Sequence, residues 1–425
     1  MSRTLVIVGG GVIGLCAAYY ASKDGWKVTV VDRDAEDHHG CSWGNAGMVV
    51  PSHFIPLAAP GMVGMGIKML FNPEGPFAIR PSLKPSLVKW GWLFMKAAKQ
   101  ENVDRSAPAL RDLSMLSRGL YEEMAEASGN AFELEKRGLL MLCQHEKTLH
   151  EEAEVAEAAQ KLGLRARVLN TREVAATDPG IAMDVAGAIH FEDDCHLSPG
   201  LLLAWLREHL RAQGVELLYR QEAIGWTRED DQIVALQTTK GNIEADEFVL
   251  AAGAWSPDVA HDLRLSIPMQ AGKGYSVTMP EPPQLPTLCS ILTEARVAVT
   301  PMGASLRIGG TMELTGNDLS INRRRLQGIF RSVPKYFPKF NVSDFEGLEV
   351  WRGLRPCSPD GLPYIGRLNK TKNIVVATAH AMMGVSLAPA TGKLVAEMLA
   401  GEKTSVATNA FNPNRFDLND LKAVS

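Results

Sequence analysis

Residues 4–32 read TLVIVGGGVIGLCAAYYASKDGWKVTVVD, and this stretch decides the fold. Thr4 to Val8 is a short β-branched apolar run, the pattern of a buried strand. Gly9-Gly10-Gly11-Val12-Ile13-Gly14 follows at once, then apolar positions from Leu15 to Ala21 at helical spacing, closed by Gly25. Lys27 to Val31 is a second buried strand and ends on Asp32. Strand, glycine turn, helix, strand and acid make a βαβ unit.

Each motif glycine has a physical task. Gly9 permits the tight turn, Gly11 lets backbone approach a pyrophosphate, and Gly14 lets helix and strand pack closely. The helix start at Val12 and Ile13 offers unpaired N–H groups and a partial positive charge to phosphates. Asp32, 18 residues beyond Gly14, stands where a carboxylate accepts ribose hydroxyls, with Arg33 beside it. The acid argues against a 2′-phosphate. The motif by itself does not separate NAD from FAD. A glycine-rich turn without a ligand is the bland alternative, disfavoured because strand, helix and acid are all in place.

Working outward, 425 residues exceed one ordinary core and point to two interleaved domains. A net charge of -4 gives no reason to expect nucleic acid. No run reaches the ~20 apolar residues of a spanning helix. Leu5 to Ala21 lacks a cleavage-site pattern, so it does not read as a secretion signal. Cys16, Cys41, Cys143, Cys195, Cys289 and Cys357 are scattered without a CxxC pair, as reduced thiols of a cytosol-like compartment would be, and no metal is expected.

The spacing predicts helices over 107–128, 147–162, 197–213 and 321–333, with strands near 139–142, 215–219, 233–238 and 247–251. The stretch 266–312 is strand-rich, 374–377 is a strand, and a last helix is expected from Pro389 to Ala400, stopped by Gly401. Between Ile55 and Lys99 the chain is rich in Pro, Gly, Met and Trp and shows no clean period.

Several further stretches carry a resemblance. They are Cys41-Ser-Trp-Gly-Asn-Ala-Gly47, Pro51 to Pro81, Gly274-Tyr275-Ser276, Arg296 to Gly310, Trp351-Arg-Gly-Leu-Arg-Pro-Cys-Ser-Pro-Asp-Gly361, and Thr378 to Gly392. In this order they resemble bacterial D-amino acid dehydrogenases, within the wider group of glycine, sarcosine and D-amino acid oxidases. The resemblance implies an α/β chain with FAD held in a discontinuous Rossmann-like domain (1–56, 190–262 and 350–412). A mostly antiparallel α+β substrate domain (57–189 and 263–349) would cover the flavin. It places Ser42, Asn45, Ala46, Gly47 and Met48 along the pyrophosphate and flavin. Ala223 would meet the adenine by its backbone, Ala252 and Gly253 would let the sheet approach the nucleotide, and Gly384, Val385, Ser386 and Leu387 would reach the flavin ring. Read from the residues, Ser386 and Pro389 are start signals for the final helix, whose positive end could stabilise the reduced cofactor.

The implied reaction is hydride transfer from the amine α-carbon to flavin N5, giving an imino acid. Arg355 matches the arginine that binds the substrate carboxylate in glycine-oxidase-like members, and a guanidinium suits that task. The alternatives are an internal ion pair for Arg355, or Arg352 in its place. Tyr275 could bond the substrate or gate the pocket, or simply pack. His380 could approach the flavin, or be a core histidine. Met382 and Met383 stand where glycine-oxidase-like chains carry polar or basic residues, which argues for an apolar pocket and for D-proline or hydroxy-D-proline. Cys357 is offset from the cysteine that holds a covalent flavin in some sarcosine oxidases.

Three readings compete: a dehydrogenase passing electrons to a quinone or protein, an oxygen-using glycine- or sarcosine-like oxidase, and a flavoprotein subunit of a larger complex. A cytoplasmic protein is expected. The stretch Ile55 to Met95, with Lys68, Lys84, Lys89 and nearby Lys96, fits either a contact with the inner membrane face or substrate-domain core plus an access loop. The second is preferred because no amphipathic period is visible.

Overall fold

The computed structural model describes residues 3–70, 72–80, 84–263 and 265–417. Pro81 and residues 1–2 lie outside the described residues, as does the side chain of Lys68. β1 (Thr4–Val8), α1 (Val12–Lys23) and β2 (Lys27–Val31) form the expected opening unit, with β1 and β2 parallel from Thr4↔Lys27 to Val8↔Val31. They sit inside a six-stranded sheet ordered Tyr364–Arg367, Ile374–Thr378, Glu247–Leu250, β1, β2 and Glu216–Leu218. All neighbours are parallel except the first pair, which is antiparallel. Its strands come from three separate stretches of chain, so this sheet is discontinuous in sequence. Parallel strands buried on both faces explain the unbroken Val/Ile/Leu runs.

The second layer is a nine-stranded sheet of mixed orientation, mostly antiparallel. Gln270–Met279 lies between Val350–Cys357 and Ser305–Leu314. The sequence reading grouped 350–357 with the nucleotide-binding portion. The structure joins it to the second sheet, through eight residue pairs from Gln270↔Cys357 to Val277↔Val350. Arg323–Tyr336 covers this sheet with an apolar face that includes Leu326, Ile329, Phe330 and Val333.

Two helical regions differ from expectation. Met62–Leu70 and Pro85–Ala97 are helices within the stretch that showed no period. Trp90 and Leu93 turn inward there while Ile67, Val88, Trp92 and Met95 remain exposed, so apolar residues on both faces blur the period. The final helix starts at Gly384 and runs to Ala400, five residues before the expected Pro389. Pro389 cannot donate to the carbonyl four residues back, that of Val385. Tyr121, on the long helix Gln100–Ser128, donates its hydroxyl to that carbonyl at 2.6 Å and so lets the helix run through. Ser386 is therefore inside the helix. Its hydroxyl accepts the Val50 N–H at 2.9 Å. Among the described residues, no helix is long and apolar enough to cross a membrane.

Removing the Tyr121 hydroxyl should leave a buried carbonyl unsatisfied. Tyr121→Phe is expected to lower unfolding free energy by about 1–3 kcal/mol, read from urea denaturation at unchanged m-value. A variant as stable as the parent would contradict the account of Pro389.

Candidate functional site

Val8, Val31 and Ala251 stand at the carboxyl ends of three parallel strands, on the wall of a cavity of about 1340 Å³. Ligands of open parallel sheets bind at such ends. The opposite wall is made by Gly309–Met312 and Leu354–Pro356 of the second sheet. The glycine turn borders the first side. A Cβ on Gly9 would stand 2.3 Å from the Ala251 carbonyl oxygen, and one on Gly14 would stand 1.9 Å from the Gly9 carbonyl oxygen. Neither position admits a side chain. At Gly11 the nearest atom would be Ser42 Oγ, at 3.4 Å, so the space above it is open to a ligand. Gly11 is the cap residue of α1 and has no side chain to cap with. Ser42 accepts the Val12 N–H at 3.1 Å, and Ile13 borders the cavity in the first turn.

Asp32 is anchored where β2 ends. Its carboxylate accepts the Gly10 N–H at 2.6 Å and the Asp34 N–H at 2.8 Å, while burial pushes its pKa up. Arg33 lies 3.7 Å over the Trp255 ring, and Ala223, Ala252 and Gly253 border the same end. This end has the open glycine, the helix start and the acid that a dinucleotide needs, so the residues fit the group.

The loop 40–47 closes the other side. Asn45, Ala46 and Met48 line the cavity, whereas Gly47 lies behind it, with φ 73 and a would-be Cβ 2.1 Å from the Leu197 carbonyl. Several groups hold this loop that the sequence reading did not single out. Arg307 donates to the Trp43 and Asn45 carbonyls at 2.7 and 2.9 Å, and burial lowers its pKa to about 10. Ser276 donates to the Gly44 carbonyl at 3.0 Å. The Trp351 indole donates to the His39 carbonyl at 2.7 Å and lies so close that a Cβ on Gly44 would meet its ring at 2.0 Å. A lone arginine in the apolar strand Ser305–Leu314 was the available signal for Arg307. Asn45 also donates to the Met382 carbonyl at 3.2 Å, which ties the loop to the start of the final helix. There Gly384, Val385 and Leu387 line the cavity, and Ser386 supports it from behind.

Arg355 reaches the cavity from the Val350–Cys357 strand. Its guanidinium lies against the backbone of Gly274, where a Cβ would stand 2.2 Å from its nitrogens. It donates to the Thr311 carbonyl at 2.6 Å. Thr311 holds φ 71, an unusual conformation for a β-branched residue that strains the backbone where its carbonyl meets the guanidinium. Burial lowers the Arg355 pKa, with the Cys41 and Cys357 thiols nearby. Among the described residues no carboxylate lies within ion-pair distance of Arg355. The internal ion pair considered from sequence is thus not present. Arg352 is three residues away on the strand, hence on the opposite face, exposed and bonded to the Leu319 carbonyl at 2.9 Å.

Tyr275 and His380 both border the cavity, and each has a polar atom held by a neighbouring residue. The Tyr275 ring is packed in the core of the second sheet, and its hydroxyl accepts the Asn322 N–H at 2.9 Å and faces the Ser320 carbonyl at 3.4 Å. The hydroxyl thus ties this strand to the 320–322 loop while the residue also borders the cavity. His380 sits in a sharp turn between Ala379 and Ala381, at φ 63 and 47. Its Nε2 meets the Thr391 hydroxyl at 3.0 Å, and burial lowers its pKa to about 3, which keeps the ring neutral. Cys357 is buried, with its Sγ 3.8 Å from Met312 Sδ.

A family model described as "DAO: FAD dependent oxidoreductase" matches residues 4–398. The D-amino acid dehydrogenase of Granulibacter bethesdensis is 28% identical over 407 residues, spanning 95% of this chain and 97% of that protein. Among solved structures, glycine oxidase from Geobacillus kaustophilus superposes with a TM-score of 0.74 at 23% identity, over 97% of this chain and 99% of the other. L-proline dehydrogenase from P. horikoshii superposes with a TM-score of 0.74 at 20% identity, over 98% of both chains.

The glycine geometry separates folding from ligand binding. Gly11→Ala should keep the apoprotein folded, with Tm lowered by no more than about 4 °C, yet weaken FAD binding at least about tenfold. Gly14→Ala should fail to fold. Equal flavin affinity in Gly11→Ala and wild type, by fluorescence titration of the apoprotein, would contradict this placement.

Proposed function

The chain belongs to the family of FAD-dependent oxidoreductases, and from that premise we propose that it oxidises the α-carbon of D-amino acids to the imino acid. FAD, when bound, supplies the two-electron acceptor for the Cα–H bond. The coarser activity is that of a D-amino acid dehydrogenase or amine oxidase. The single observation that carries the finer reading is Arg355, a cation on the cavity wall with no carboxylate partner of its own among the described residues. A guanidinium with one edge on the Thr311 carbonyl keeps other N–H groups for a substrate carboxylate, and a two-point grip fixes which face of Cα is presented.

Ser42, the α1 start and Asp32 are assigned to the dinucleotide, and the start of the final helix to the flavin end. Met48, Met141, Phe77, Trp90, Phe94 and Met383 border the same cavity as Arg355. That lining supports D-proline or hydroxy-D-proline over a charged side chain. The hand of the substrate follows the D-amino acid dehydrogenases similar in sequence, since the fold alone is shared with an L-proline dehydrogenase.

The acceptor is assigned to a quinone or a protein. Ile67, Val88, Trp92 and Met95 are 48–58% exposed, with Lys96 3.7 Å over the Trp92 ring, and Ile67 and Met95 also border the cavity. Exposed apolar groups interleaved with lysines at a cavity mouth suit a membrane surface that supplies quinone.

The test is an anaerobic mixture of the yellow protein with D-proline, hydroxy-D-proline, D-alanine, glycine, sarcosine and the L-enantiomers. D-amino acids should bleach the visible flavin band, with slow recolouring in air and fast recolouring with quinone-bearing vesicles. Arg355→Met should stay yellow and need on the order of 10²-fold more substrate for half-bleaching. Failure of every amine to bleach wild type would overturn the reading.

A further inference from the structure

An amino acid arrives with its nitrogen as an ammonium group, and hydride can leave Cα only after that nitrogen has lost a proton and freed its lone pair. The groups already described do not take it. Arg355 has no lone pair to offer, the Tyr275 hydroxyl is engaged in the second sheet, and His380 Nε2 is engaged with Thr391.

A different chain of hydrogen bonds leads from the cavity into the interior. Met48–Val49 pairs antiparallel with Cys195–His196, and this register brings Ser52 beside Asp194. The Asp194 carboxylate is 1% exposed. It accepts the Ser52 N–H at 3.0 Å and the Ser52 hydroxyl at 2.5 Å. Ser52 Oγ in turn meets His53 Nδ1 at 3.1 Å. The His53 N–H donates to the Val50 carbonyl at 3.0 Å, which holds the turn, and His53 borders the cavity. No ion pair reaches Asp194 among the described residues.

We propose that His53, Ser52 and Asp194 form a proton relay, in which His53 touches the substrate amine and Asp194 receives its proton. The proposal rests on the amino-acid reading of the site. An ionised Asp194 can only accept, so the Ser52 hydroxyl donates to it and the Ser52 oxygen accepts from His53 Nδ1–H. The neutral ring then carries its lone pair on Nε2, the ring nitrogen not engaged with Ser52, on a residue that borders the cavity. When the ammonium N–H breaks, its proton goes to Nε2, the Nδ1 proton goes to Ser52, and the Ser52 proton goes to Asp194. One N–H bond is lost and one O–H bond is gained. No electrons change hands, and His53 ends neutral as the other tautomer.

The electrostatic surroundings agree with these roles. Burial, and to a smaller degree neighbouring Asp193, pushes the Asp194 carboxyl up to about 7, while Arg118 and the Ser52 bonds act downward. Cys195 and Cys289 also face it, as neutral thiols raised by burial. His53 is held down to about 4 by burial and by Arg296, which itself faces Glu152. A base working near neutral pH is thus placed at the end of the relay, and its middle member passes the proton without keeping it.

Two readouts test this. The first is ¹⁵N NMR of histidine-labelled holoprotein at pH 8, with the His53 signals assigned by loss in His53→Gln. Wild type should carry the proton on Nδ1. In Asp194→Asn the carboxamide oxygen must stay on the Ser52 N–H, so its NH₂ faces the Ser52 oxygen, the hydroxyl turns to His53, and the proton should move to Nε2. The second is anaerobic stopped-flow reduction by D-proline across pH. Wild type should gain rate through a step near pH 7, whereas Asp194→Asn and Ser52→Ala should lose that step and about 10²-fold in rate at neutral pH. If no amine reduces the wild-type flavin, the substrate reading fails and the relay with it. If wild type is reduced but the variants keep both tautomer and pH profile, the relay alone is overturned.

Discussion

Backbone meets backbone without intervening side chains at three places, and the site takes its shape from them. Gly9 lies on the Ala251 carbonyl, Gly14 on the Gly9 carbonyl, and Gly392 on the backbone of Cys16. The last contact seats the final helix on α1, and both helices begin at the cavity. A single methyl at Gly14 or Gly392 would approach backbone to 1.9 or 2.5 Å, and backbone cannot give way as a flexible side chain can. Close packing at these glycines is therefore what brings two positive helix ends to one cavity.

The second sheet supplies rigidity and charge. Arg307 and Ser276 fix carbonyls of the 40–47 loop, and Trp351 fixes that of His39 just before it. Holding neutral carbonyls with a buried cation costs desolvation, which lowers the Arg307 pKa, but it leaves the loop satisfied on its inner side. Arg355, on the neighbouring strand, has one carbonyl partner and a cavity on its open side. A desolvated cation of this kind is most stable with an anion beside it, and in the proposed reading the substrate carboxylate is that anion.

Much of this was legible in the sequence because it depends on local spacing. The strand–glycine–helix–strand–acid order at 4–32 fixed the first sheet and the dinucleotide end. The motifs around 41–47, 351–361 and 378–392 named Ser42, Asn45, Ala46, Arg355, Gly384 and Val385 on the cavity wall. What escaped depends on partners far away in the chain. Ser386 and Pro389 are sound start signals locally, yet the helix begins at Gly384 because Tyr121 satisfies the carbonyl that Pro389 cannot. Tyr275 lies in a strand and His380 in the turn after one, and the loop at 320–322 and Thr391 hold the Tyr275 hydroxyl and His380 Nε2. Ser52 and His53 fall in the resembling stretch from Pro51 to Pro81 but were not singled out there, because their meaning comes from Asp194, 142 residues beyond Ser52.

The most direct test of the central claim is binding of an unreactive carboxylic acid and of its neutral amide to the FAD-loaded protein, followed by perturbation of the flavin spectrum. If Arg355 stands ready for an anion, the acid should bind at least about 30-fold more tightly than the amide, and Arg355→Met should erase the difference. Equal binding of acid and amide to wild type would contradict the account.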